Sequence, residues 1–125
     1  MVVLDIQSVR LRFGYNVYMT RDQLTTVLTR LRTELAQLLG SRLEAVYLYG
    51  SQARGDARSD SDIDVLIVLR GDFDLEELLD KTLDLVAALS LEYDVVISRS
   101  FVGKERFDHE MSPFLMNVRR EAVPV

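Results

Sequence analysis

Apolar positions along this chain alternate between helical and strand periods. Leu24, Val27, Leu28, Leu31, Leu35, Leu38 and Leu39 recur three and four apart, which predicts an amphipathic helix. Thr20-Arg-Asp-Gln23 ahead of them reads as a capping box, and Gly40 stands where a helix is usually ended. Leu43 to Tyr49 then predicts a strand, closed by Gly50-Ser51, and residues 52–61 form a polar loop. Ile63 to Leu69 is β-branched and almost wholly apolar, as expected of a central strand buried on both faces. After a Gly71-Asp72 turn, Asp74 can cap a second helix with Leu75, Leu78, Leu79, Leu83, Val86 and Leu89 along its stripe. Leu91 to Ser98 reads as a third strand, with Asp94 at its entrance. Ser112-Pro113 opens a last helix that carries Phe114, Leu115 and Val118, places Arg119-Arg120 in its last turn, and cannot continue past Pro124.

Residues 1–19 form an N-terminal extension of undecided order. Their β-like fragments (Val2 to Leu4, Val9, Leu11, Phe13, Val17) are interrupted by Gly14-Tyr15-Asn16, and Met19 is an alternative start of translation. Residues 20–125 alternate helix and strand without repeats or linkers. They predict one α/β (α+β) domain, a small mixed sheet with helices packed on one side.

Composition narrows the class. The 125 residues carry 15 basic and 20 acidic side chains, a net charge of −5, which speaks against a surface that coats nucleic acid. An acidic chain can still bind a nucleotide where metal reverses the local sign. There is no cysteine, hence neither disulfide framework nor thiolate metal site. No apolar run approaches the length of a membrane span, and the first twenty residues lack the basic start and apolar block of a signal peptide, so a cytoplasmic setting is expected.

The chemistry concentrates around the second strand. Asp62 and Asp64 flank Ile63, so on a strand they share a face while Ile63 points into the core. Carboxylates at the mouth of a buried strand are costly unless paired or metal-bound. A lone Asp-x-Asp is ordinarily a loop cap or a surface ion pair. Here Gly50-Ser51 can bring backbone and hydroxyl close to phosphate, and Asp94 lies one crossover later. If the two strands are neighbours, three carboxylates converge, and two Mg²⁺ ions held between them could activate an attacking oxygen and stabilise departing pyrophosphate. Arg54 and Arg58 lie in the intervening loop and could meet phosphate, Arg54 being the better candidate because Gly55 follows it. His109, the one histidine, is expected at the surface or partly buried rather than as a catalytic base, and Tyr47 and Tyr49 are expected to pack. Phe101, Phe107 and Phe114 are candidates for a partner surface.

Gly50-Ser51, Arg54-Gly55, Ser61-Asp62-Ile-Asp64-Val and Asp94-Val resemble the signature of the nucleotidyltransferase superfamily that includes DNA polymerase β. The resemblance spans residues 20–125 and comes nearest the minimal nucleotidyltransferases (MNT), antitoxin partners of HEPN-domain toxins. It implies a nucleotidyltransferase fold in which Gly50, Ser51 and Arg54 hold the triphosphate of ATP, Asp62 and Asp64 bind both Mg²⁺ ions, and Asp94 completes the catalytic metal site. It further implies transfer of AMP to a tyrosine of the HEPN toxin, a type VII-like antitoxin action that silences a ribonuclease. Residues 1–19 lie outside the minimal core of that family, and Ala122 stands where glycine is common. The short chain leaves no room for an acceptor-binding domain, so the acceptor is expected on a partner protein. A small-molecule nucleotidyltransferase that modifies an antibiotic, with a homo-oligomer building the pocket, stays open, as does a non-catalytic module that neutralises its toxin by covering it.

Overall fold

The computed structural model describes residues 19–55 and 62–125. The N-terminal extension up to residue 18, and Arg58 with the rest of 56–61, lie outside them. The elements in order are α1 (Arg21–Leu39), β1 (Leu43–Tyr49), α2 (Gly50–Arg54), β2 (Ile63–Leu69), α3 (Leu75–Tyr93), β3 (Ile97–Gly103), α4 (Lys104–His109), α5 (Pro113–Glu121) and β4 (Val123–Pro124). Helix starts follow local chemistry closely. The Thr20 hydroxyl accepts from the Gln23 amide at 3.0 Å and the Gln23 side chain accepts from the Thr20 amide at 2.8 Å, a reciprocal capping box. Asp74 caps α3 and Ser112 caps α5, each by accepting a backbone N–H of its first turn.

The strands form one mixed sheet in the order β3-β2-β1-β4. β1 runs antiparallel to β2 and to β4, and β2 runs parallel to β3 through the α3 crossover. β2 is central and buried on both faces, as its apolar sequence requires. Ile63, Val65, Ile67 and Leu69 face α1 and α3 in the larger core, with Val27, Leu31, Leu35, Leu78 and Leu89. Leu66 and Val68 face the other way, onto Val102, Leu115 and Val118. The mixed sheet is the one expected, and its two long helices share a face. The opposite face is covered too, by the short C-terminal helices, because Leu115 and Val118 give α5 an apolar stripe of its own.

Two local differences from expectation bear on function. Residues 50–54 are a short helix rather than a turn, bracketed by Gly50 at φ 75° and Gly55 at φ 80°. The third strand begins at Ile97, not Leu91, because α3 runs on to Tyr93. Its last turn is held from outside: Arg30 of α1 pairs with Glu92, donates to the Tyr93 hydroxyl at 3.1 Å, and lies 5.7 Å from the Tyr93 ring centre. The aromatic candidates also sort themselves. Tyr47 stacks on Phe107 at 4.9 Å, and Phe101 packs against the larger core, so both phenylalanines are half-buried within the fold.

Candidate active site

The register of the sheet builds the site around Asp64. On one side its Cα partner is Tyr49, the last residue of β1; on the other it is Ser98 of β3. Leaving β1, the chain turns at Gly50 directly above Asp64. A Cβ at Gly50 would collide with the Asp64 Oδ2 and stand 3.3 Å from its Cγ, so only glycine fits both the positive φ and the space. Ser51 follows in the first turn of α2, half-buried, and its carbonyl accepts from the Gly55 amide at 3.0 Å.

Asp62 and Asp64 stand at the mouth of β2, Asp62 exposed and Asp64 half-buried. Burial pushes the Asp64 carboxyl above the usual carboxylate range, the negative charge of Asp62 pushes it further, and the Arg54 guanidinium partly offsets both. Two carboxylates that repel one another, one of them against bare backbone, suit a divalent cation, which would relieve the repulsion and meet hard oxygen donors. Arg54 closes the outer side. Its Nη1 lies 3.3 Å from the Glu121 Oε1 at the end of α5, and Phe114 of the same helix meets Tyr49 edge-on at 5.6 Å and 87°.

Asp94 sits differently from the sequence reading. It is the C-cap of α3, in the left-handed region at φ 54° and ψ 47°, rather than a strand residue. The Ile63 amide donates to the Val96 carbonyl at 2.8 Å, so Asp62 lies level with Val96, and Asp94 falls two residues short of that level. Among the described residues no three His, Cys, Asp or Glu side chains are grouped to hold a metal ion. The structure brings Gly50, Ser51, Arg54, Asp62 and Asp64 together, and Asp94 stands at the C-terminal end of α3, three residues before β3 begins. It also brings in Tyr49, Ser98 and Glu121, which sequence patterning did not single out for the site. Only the cross-strand register and the packing of α5 reveal them. His109 is exposed on α4, as expected.

Comparison with known proteins places these features in a family. A family model described as nucleotidyltransferase domain matches residues 28–119. A relative from Methanocaldococcus jannaschii, provisionally named a protein adenylyltransferase, is 41% identical over 81 residues, 64% of this chain and 75% of that protein. Protein adenylyltransferase MntA of Thermococcus cleftensis is 30% identical over 82 residues, 66% of this chain and 81% of its own length. Among solved structures, a toxin–antitoxin MntA-HpeT mutant superposes with a TM-score of 0.49 at 20% identity, covering 75% of this chain and 70% of that one.

Proposed function

The chain belongs to the nucleotidyltransferase domain family, and on that premise we propose that it is a Mg²⁺-dependent protein adenylyltransferase that transfers AMP from ATP to a tyrosine hydroxyl of a HEPN-domain toxin and thereby acts as its antitoxin. The observation that carries the reading is the packing of Gly50 backbone against Asp64, beside Asp62, at the mouth of the central strand. The protein adenylyltransferase names of its curated relatives support the transfer of AMP to protein.

In this reading Asp62 and Asp64 would hold the metal, which when bound would screen the triphosphate charge and lower the cost of forming a phenoxide-like attacking oxygen. Gly50 and Ser51 seat the β- and γ-phosphates, and Arg54 adds a guanidinium suited to bidentate phosphate contact. The acceptor oxygen forms a bond to the α-phosphorus, the bond from that phosphorus to the bridging oxygen breaks, and pyrophosphate leaves with the electron pair. Asp94 is the third carboxylate and takes up the hydroxyl proton.

The test is mass spectrometry of a co-encoded HEPN protein after incubation with this chain, ATP and Mg²⁺. A gain of one or more AMP groups that disappears with Asp62→Ala and Asp64→Ala supports the reading. No gain, or a gain that these variants leave unchanged, contradicts it.

A further inference from the structure

We infer that Glu121 is a positioning residue that holds Arg54 in place for the triphosphate; the inference rests on the proposed seating of nucleotide by Gly50, Ser51 and Arg54. It starts from the faces of α5. Leu115 and Val118 bury one stripe beneath the sheet. Phe114 and Glu121 are seven positions apart, two helical turns, so they lie on one flank. Both reach the site, Phe114 through Tyr49 and Glu121 through Arg54.

The two side chains of the ion pair are unequally exposed. The Glu121 side chain is 24% exposed and that of Arg54 46%. The Glu121 backbone is fixed on both sides: the Ala122 amide donates to the Val118 carbonyl at 2.8 Å, and β4 follows at once, pairing Leu48 with Val123, after which the Val125 amide donates to the Val46 carbonyl at 2.9 Å. Glu121 is thus anchored between a helix and a sheet edge, whereas Arg54 is a long side chain at the end of a five-residue helix. An arginine that is ordered in advance loses less rotamer freedom on meeting phosphate, and an anchored carboxylate contributes to that order. A planar guanidinium can keep one edge on Glu121 and turn the other toward phosphate. The charge of Arg54 is felt at the Asp64 carboxyl, so the guanidinium lies within electrostatic reach of the reacting end of the site. Glu121 falls just past the segment matched by the family model, which ends at residue 119.

The experiment is calorimetric titration of the full chain with Mg²⁺–ATP, using wild type, Arg54→Gln, Glu121→Gln and the double variant, with thermal melting of each. Glu121→Gln is expected to weaken binding about two- to five-fold, the size of a partly exposed ion pair. Arg54→Gln is expected to weaken it at least as much, and the double variant no further than Arg54→Gln alone, because the two side chains act as one unit. Glu121→Asp, which keeps the charge one methylene shorter, should lose less than Glu121→Gln and serves if the latter melts early. Wild-type affinity in Glu121→Gln, with Arg54→Gln weakened, overturns the role of Glu121 alone. Losses that add in the double variant do the same. An Arg54→Gln protein that binds like wild type removes Arg54 from the nucleotide seat and this inference with it. A wild-type chain that does not bind Mg²⁺–ATP overturns the proposed function itself.

Discussion

Single side chains set the electrostatics of the site, and Asp64 shows how. Its carboxyl is raised by burial and by Asp62, so the fold favours the protonated form. A raised acid contributes stability that is fully present below the ordinary carboxylate pKa and is lost as pH rises through the raised value. At neutral pH the ionised carboxylate is therefore a cost in the metal-free protein, and water that still reaches it keeps the cost small. Asp64→Asn should melt about 1–3 °C above wild type at pH 7 in the presence of chelator, with the gap closing toward pH 4. Mg²⁺ should raise wild type and leave Asp64→Asn where it was. Gly50 is the second point. Gly50→Ala would set a methyl against the Asp64 carboxylate at a positive φ, which should lower stability by about 1–3 kcal/mol and abolish Mg²⁺–ATP binding, both measurable on one preparation. Asp94 offers a cleaner separation of backbone from chemistry. Asparagine accepts the left-handed conformation about as well as aspartate, so Asp94→Asn should keep the α3 cap yet lose about 100-fold or more in turnover. An unchanged rate would confine Asp94 to capping α3.

At the scale of elements, what was legible in the sequence is what local chemistry decides. The capping box at Thr20, the caps at Asp74 and Ser112, and the apolar runs of β1 and β2 carry their own boundaries, and the observed elements start and stop there. The third strand was not legible at its start. Leu-Glu-Tyr-Asp joins an apolar Val-Val-Ile run and looks extended, but Arg30, some sixty positions earlier, holds Glu92 and Tyr93 in a last helical turn. For the same reason Asp94 caps α3 instead of entering the strand. Cross-strand facts were equally hidden: that Tyr49 and Ser98 flank Asp64, and that Val123–Pro124 pairs with β1, follow from register and not from composition. The covering of the second sheet face by α5 has a direct consequence. Leu115→Ala should cost about 2–5 kcal/mol, as deletion of a buried leucine side chain does, and should also weaken Mg²⁺–ATP binding, because the same helix carries Phe114 and Glu121 to the site. A stability loss without any change in affinity would separate α5 from the site.

For the whole molecule, the described residues form one sheet covered on both faces, and none of their helices is long and apolar enough to cross a membrane. The candidate site lies at one end of that sheet, where β1 ends and β2 begins, with Asp62 exposed in front of it. On the proposed function, the acceptor tyrosine is presented to this end of the sheet by the partner protein. The measurement that tests this most directly is the intact mass of a co-encoded HEPN protein after incubation with ATP, Mg²⁺ and either wild type or Asp62→Asn/Asp64→Asn. AMP added to a tyrosine by wild type alone is the result expected here. An unmodified partner, or one modified equally by both proteins, would contradict it.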